Sequence, residues 1–216
     1  MRKKLKMVAH KMPGILITFC GLDGCGKTTM LNKLAAELGK EYEVCITKQP
    51  TDKVRRSEIF RTYMDSPDNS GFDYRSLSLL AASDRLQHVN KEIAPLLENG
   101  KIVLSDRYFY SCLANLRARG FSSDSWIYDV SKFIIKPDIA FFFDVPVDKA
   151  VARVRSRAAE KDRYIDMELQ KELYKQYREI CKKNCGVLIS TELSEEESYK
   201  IVKETVERKL KNGQRK

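Results

Sequence analysis

The chain has 216 residues, enough for one α/β domain with a buried core and too few for two full ones. Forty lysines and arginines against thirty acidic residues leave a formal charge of +10, which favours anionic partners. No apolar run reaches membrane-spanning length, no signal-peptide core follows the N-terminal basic cluster, and the six scattered cysteines (Cys20, Cys25, Cys45, Cys112, Cys181, Cys185) form no disulfide framework; a soluble, cytoplasmic protein with reduced thiols and no membrane partner is expected.

Residues 1–13 read as a basic N-terminal extension, and residues 14–212 as a single domain. The charges of Arg2-Lys3-Lys4-Leu5-Lys6, and those of Lys209, Lys211, Arg215 and Lys216 at the other end, suit solvated tails. Ile15 to Cys20 is apolar and rich in β-branched residues, the pattern of a strand buried on both faces. It runs into Gly21-Leu22-Asp23-Gly24-Cys25-Gly26-Lys27-Thr28, which fits G-x-x-x-x-G-K-[ST] at every required position. Glycine amides in such a loop wrap phosphate oxygens, Lys27 reaches the β/γ-phosphates, and Thr28 is placed to hold Mg²⁺, so a nucleoside triphosphate is the expected ligand. Leu31, Leu34, Ala35 and Leu38 then recur at helical spacing, with Gly39 as a C-cap.

Further strands are expected at Glu43 to Thr47, Lys101 to Asp106, Ile139 to Asp144 and Gly186 to Ser190, separated by helices. Asp65 to Asp73 reads as an exposed loop. A long helix carries the stripe Leu79, Ala82, Leu86, Val89, Ile93 and Leu97, with a kink expected at Pro95 and a stop at Asn99-Gly100. The last helix opens on a capping box, Ser194 and Glu197, and buries Val202, Val206 and Leu210. Cys181 and Cys185 lie one helical turn apart, but no His or Cys cluster accompanies them as a metal site would require. The alternation predicts a three-layer α/β fold of the P-loop NTPase kind: a five-stranded parallel sheet, helices on both faces, and a short arginine-rich lid at about 153–164.

Ligands of an open parallel sheet collect beyond the carboxyl ends of its strands. That rule gathers the phosphate loop, Lys48-Gln49-Pro50, Asp106-Arg107-Tyr108 and Asp144-Val145-Pro146 into one site. Asp106 ends its strand where a carboxylate can hold Mg²⁺, and Arg107 points into the same crevice as Lys27, an arrangement suited to phosphoryl transfer. Arg153 and Arg157, one turn apart on a regular helix, would share a face and close as a lid, with Lys161 and Arg163 just after. Arg85 either reaches a ligand over the sheet or pairs with Asp84 or Glu92. His10 and His88 have no evident catalytic partner.

These segments, in this order, resemble the thymidylate kinases. The carriers are residues 21–29, Leu79-Leu80-Ala81-Ala82-Ser83-Asp84-Arg85-Leu86-Gln87-His88, Ser105-Asp106-Arg107-Tyr108, Lys136-Pro137-Asp138 and Ala152-Arg153-Val154-Arg155. The resemblance implies transfer of the γ-phosphoryl of ATP, with Mg²⁺, to a nucleoside 5′-monophosphate, dTMP foremost, by a homodimer. It implies that Gly21, Leu22, Asp23, Gly24, Cys25, Gly26, Lys27, Thr28 and Thr29 hold ATP and that Thr28 and Asp106 hold the metal. Lys27, Arg107, Arg153 and Arg157 become catalytic, and Asp23, Pro50, Ala81, Arg85, Arg107, Cys112 and Asn115 line the acceptor.

Five departures stand out. Gly24 replaces an arginine that one branch of the family carries, so the lid would supply the cation. Ala81 replaces a phenylalanine that stacks on thymine, and Asn115 a tyrosine set against the sugar. Cys20 and Gln49 replace residues that are usually glutamate and acidic or aromatic. These leave two alternatives: a kinase for another pyrimidine monophosphate, or one for a nucleoside, with Asp23 as base. An ATP-regulated nucleic-acid-binding protein is the reading from another class; the basic residues are spread over tails and lid with no aromatic-rich stripe, so nucleic acid is not expected as a partner.

Overall fold

A computed structural model describes residues 4–65 and 71–213. Its elements are β1 (Ile15–Gly21), α1 (Lys27–Leu38), β2 (Val44–Lys48), α2 (Asp52–Arg55), α3 (Glu58–Asp65), α4 (Tyr74–His88), α5 (Ala94–Glu98), β3 (Ile102–Asp106), α6 (Phe109–Ala118), α7 (Trp126–Val130), β4 (Ile139–Asp144), α8 (Val147–Arg155), α9 (Met167–Lys183), β5 (Val187–Ser190) and α10 (Glu195–Gly213). The five strands form one parallel sheet in the order β2-β3-β1-β4-β5, as the alternation requires. Strand β1 is central, pairing Phe19 with Asp106 on one side and Phe141 on the other. Its apolar run is buried because helices cover both faces, α1 with α10 on one and α6 with α9 on the other. Phe19, Phe141 and Phe143 meet at ring-centroid distances of 5.7 and 5.9 Å from Phe19 and carry the core to the carboxyl edge.

Local chemistry explains most boundaries. Glu197 N–H donates to Ser194 Oγ at 3.2 Å and Ser194 N–H donates to Glu197 Oε2 at 3.0 Å, the reciprocal capping box. Val202 and Val206 are buried and Leu210 half-buried. Gly39 caps α1 in right-handed geometry at φ −63°, so left-handed freedom is not what ends that helix. The long stripe before β3 is not one continuous α-helix. Pro95 has no N–H to offer Lys91, and a π-helical turn over Val89–Ile93, with Ala94 N–H reaching Val89 O, absorbs the defect ahead of it. Ala82, Val89, Ile93 and Leu97 are buried as expected, whereas Leu79 faces outward and Leu86 is half-buried. Most of the loop expected at Asp65 to Asp73 lies outside the described residues, as do Arg2, Lys3, Arg215 and Lys216.

The N-terminal extension departs from the solvated tail its charge suggested. Leu5 is buried, and Val8 pairs in parallel with Ile135: Val8 N–H donates to Ile134 O at 2.9 Å and Lys136 N–H to Val8 O at 2.7 Å. Asp138 then ties the ends of the chain together. It accepts from Leu16 N–H, pairs with His10 Nε2, and is approached by Lys209 Nζ of α10, each at 2.9 Å. Backbone pairing and one shared carboxylate thus hold a segment whose side chains alone read as soluble.

Candidate active site

The carboxyl ends of β1, β2 and β3 open onto a cleft of about 1370 Å³, whereas Asp144-Val145-Pro146 at the end of β4, expected in the same site, do not line it, and Asp144 accepts from Arg178 instead. On one side of the cleft, Gly21, Gly24 and Gly26 adopt φ of 140°, 80° and 90°, which side-chain-bearing residues rarely do. Gly24 is also sterically required. A Cβ there would lie 2.1 Å from Ala150 O, because α8 packs directly on the loop. Gly26 precedes the first turn of α1, whose free amides and dipole favour an anion. Lys27 Nζ is folded into the loop, donating to Leu22 O at 2.6 Å and Gly21 O at 3.2 Å. Thr28 and Thr29 line the same wall.

Arg107 leaves β3 in left-handed backbone geometry, φ 70°, which swings its guanidinium under the loop. Nη1 donates to Gly21 O and to Tyr177 Oη, each at 3.1 Å, and Nη2 to Asp23 Oδ1. Asp23 is held well below the usual carboxylate range by Arg107 beside it, so it is an anion at any working pH. Its other oxygen meets Arg163 Nη2 at 3.4 Å. Beneath them Cys20 is fully buried, and burial pushes its thiol up to about 12, making it a neutral filler rather than a nucleophile.

Asp106 is buried, with Oδ2 3.3 Å from Lys48 Nζ, while Oδ1 has no hydrogen-bond partner. A buried carboxylate oxygen without a partner, on a residue that lines the same cleft as Thr28 and the phosphate loop, fits a divalent cation whose remaining ligands are phosphate and water. Among the described residues no group of three or more His, Cys, Asp and Glu gathers as an all-protein metal cage.

The lid is not the two-arginine helix face that regular spacing suggested. Helix α8 stops at Arg155, and Arg157 is extended at φ −84°, ψ 125° before a 3₁₀ turn at Ala158–Glu160. The two arginines therefore diverge. Arg157 lines the cleft together with Arg163, whereas Arg153 turns to Thr191, donating to its carbonyl at 2.9 Å and its Oγ1 at 3.2 Å. Thr191 Oγ1 in turn donates to Cys25 O, so Arg153 braces the back of the loop.

The other side of the cleft lies between α4 and α6. Pro50, Ala81, Arg85, Cys112 and Asn115 all line the cleft. Arg85 pairs with neither Asp84, which accepts from Thr51, nor Glu92, which approaches His88; its Nη1 donates to Ala81 O at 2.8 Å and its buried Nε has no partner. Cys112 packs on Ser78 with a thiol raised by burial. Gln49 is buried against His88 at 3.0 Å, a packing role outside the cleft wall. Sequence reasoning missed Arg119, Tyr63, Tyr74 and Tyr177 on this side. Arg119 follows Asn115 by one helical turn, the one local signal that pointed to it.

A family model described as thymidylate kinase matches residues 19–202. The chain belongs to the thymidylate kinase family. It is 39% identical over 169 residues to a probable thymidylate kinase of Thermococcus kodakarensis, covering 76% of this chain and 82% of that one. A thymidylate kinase of Bacillus licheniformis is 32% identical over 213 residues, 94% of this chain and 100% of the other. The crystal structure of thymidylate kinase from Ehrlichia chaffeensis superposes with a TM-score of 0.67 at 26% identity, covering 89% of this chain and 98% of that one. In this thymidylate kinase family member one wall of the cleft is built by the loop and α1 and the other by α4 and α6, and the Asp23–Arg107 pair also lines it. Among the described residues no helix is long and apolar enough to cross a membrane, and all six cysteines are free.

Proposed function

We infer that the protein transfers the γ-phosphoryl group of ATP to a nucleoside 5′-monophosphate, dTMP giving dTDP. The observation that carries this reading is the Asp23–Arg107 pair joining the phosphate loop to the end of β3, which puts a fixed cation at the boundary between donor and acceptor walls. Phosphoryl transfer needs positioning and charge neutralisation more than covalent chemistry. Loop amides and the α1 N-terminus would hold the donor phosphates. They offer Lys27 Nζ stronger, charge-assisted acceptors than the Leu22 carbonyl it now engages. Arg107 would align the acceptor phosphate, and Arg157 with Arg163 would screen the developing charge from the lid. Asp23 orients Arg107. Thr28 and Asp106 would hold Mg²⁺, which supplies charge neutralisation across the donor phosphates. On this reading the protein works in the cytoplasm as a homodimer, and the exposed Leu79 and Leu80 of α4 offer an apolar face for self-association.

Coupled assay of ADP formation with ATP, Mg²⁺ and a panel of dTMP, dUMP, dCMP, UMP, CMP and thymidine tests the reading. Phosphorylation of dTMP, reduced at least about 10³-fold in Lys27→Ala, is expected. Phosphorylation of thymidine but not of any monophosphate would overturn it.

A further inference from the structure

Arg107 occupies a backbone conformation that its side chain disfavours, so its place has to be held by neighbours. At φ 70° the residue is pinned by its own N–H, donating to Phe19 O at 2.9 Å, and by Ser105 Oγ, donating to Arg107 O at 2.7 Å. Those bonds fix the main chain, and the guanidinium needs anchors of its own. Gly21 O and Asp23 supply two from the phosphate loop. The third comes from the other side of the sheet edge, where Tyr177 of α9 brings its hydroxyl to Nη1 at 3.1 Å.

Tyr177 is buried, and the hydrogens around its oxygen have one consistent arrangement. Arginine carries only donors, so the phenol oxygen accepts from Nη1 and turns its own hydrogen to Ser111 Oγ of α6, also 3.1 Å away. Burial raises the phenol above its ordinary value, so it keeps that hydrogen at neutral pH. Nearby Cys20 is a neutral thiol, and among the described residues Arg107 forms one ion pair, with Asp23; the hydroxyl is therefore the anchor that the loop does not provide. Gly21 O and Tyr177 Oη use both hydrogens of Nη1, and Asp23 uses one of Nη2. The Nε hydrogen and the other Nη2 hydrogen remain for a ligand, and a phosphate takes such donors as charge-assisted bonds that reward a fixed geometry.

We propose that Tyr177 is a positioning residue for the acceptor phosphate: with Ser111 behind it, its hydroxyl holds the Arg107 guanidinium at the angle that presents those two hydrogens to the phosphate. The proposal rests on the kinase reading above and deepens it. It also ties the lid to the reacting group. Arg163 of the lid meets Asp23, and Tyr177 of the helix that follows the lid meets Arg107, so both members of the pair are held by the segment beyond α8.

Tyr177→Phe keeps the ring and removes the bond. It is tested by steady-state kinetics with dTMP at saturating ATP and Mg²⁺, and by calorimetric titration of dTMP and of thymidine, which shares the base and sugar but lacks the phosphate. The expected result is a fall of about 10- to 100-fold in kcat/KM for dTMP and a rise of about 3- to 10-fold in dTMP Kd, with thymidine Kd and ATP KM within about twofold. Ser111→Ala, which takes away the acceptor of the phenol hydrogen, should show the same pattern at smaller size. In an Arg107→Met background the group being positioned is gone, so Tyr177→Phe should change dTMP Kd by less than about twofold. Thermal denaturation accompanies each variant, and if Tyr177→Phe unfolds early, Ser111→Ala decides by the same ratio of dTMP to thymidine affinity. Thymidine weakened as much as dTMP, or an equal loss from Tyr177→Phe with and without Arg107, would overturn the proposal. So would an unmodified protein that binds dTMP no more tightly than thymidine. Absence of turnover with every monophosphate, with that difference in affinity intact, would refute the kinase reading, and the titrations would still decide this one.

Discussion

Substituting Gly24 by alanine probes how tightly α8 is seated on the phosphate loop. A Cβ at this position would stand 2.1 Å from Ala150 O, 2.9 Å from Ala150 C and 3.0 Å from Val154 Cγ2. The first contact falls short of an ordinary carbon–oxygen approach of about 3.3 Å by about 1.2 Å, and the atom it strikes is helix backbone, which cannot rotate away. Two costs combine. Left-handed backbone at φ 80° costs a non-glycine residue about 1–2 kcal/mol, and forcing α8 off the loop costs about 1–3 kcal/mol more. At about 2–4 °C per kcal/mol for a chain of this size, thermal unfolding should drop by about 4–20 °C. Gly100 supplies the control. It also has positive φ, 75°, but nothing lies within 4 Å of its Cβ position, so Gly100→Ala should show only the backbone part, about 2–8 °C. Both melting temperatures are measured without nucleotide. A Gly24→Ala protein that melts no lower than Gly100→Ala would show that the close approach of α8 does not constrain the loop.

Three other measurements address separate parts of the structure. Asp106→Asn replaces a carboxylate that has a buried oxygen without a partner; kcat should fall about 10²- to 10³-fold and half-maximal activation should move to higher Mg²⁺, and an unchanged Mg²⁺ dependence would remove Asp106 from the metal site. His88 is buried, and burial holds its imidazole below its ordinary value; the unfolded chain then takes up the proton first, so this contribution is complete above about pH 6.5 and declines as pH falls below it. Urea midpoints from pH 5 to 8 should show that climb and its flattening in His88→Gln, and an identical slope in the variant would contradict the assignment. Leu5→Ala should cost about 2 kcal/mol or more, since Leu5 is only 5% exposed, and a melting temperature unchanged from the parent would return the N-terminal segment to the status of a solvated tail.

What the sequence made legible was whatever local chemistry determines. The five strands were readable because each is a short apolar run buried by its neighbours, and observed boundaries differ from the expected ones by about a residue. The phosphate loop was readable because positive φ restricts three of its positions to glycine, and the start of α10 because its cap is made by residues three apart. The lid was misjudged for the converse reason. No glycine or proline marks the end of α8 at Arg155, so helical spacing carried Arg157 onto a face it does not share with Arg153. Nor does the local sequence say that Lys4 to His10 would dock, because the partners of Lys6, Val8 and His10 stand more than a hundred residues further on.

Gly24 and Ala81 show how these levels combine. Taken from the resemblance, each is a loss: a missing cation in the loop, a missing ring over the base. In the structure each coincides with a neighbour that uses the space or supplies the group. At Gly24 the backbone of α8 occupies the volume a side chain would need, so a loop arginine and this seating of the lid helix exclude each other, and Arg157 and Arg163 bring cations to the cleft from beyond the end of that helix. Opposite Ala81 the Arg119 guanidinium, mounted on Tyr74 and tied to Tyr63 and Asn115, offers a flat cationic face from α6. Asn115 Oδ1 helps to hold Arg119 through Nη1, and a ring added at position 81 would compete with that guanidinium for the same ligand. Such coupling predicts non-additivity. Ala81→Phe should improve dTMP binding less in the unmodified protein than in Arg119→Met, where the added ring has no rival surface, and equal gains in the two backgrounds would show that positions 81 and 119 act on the base independently.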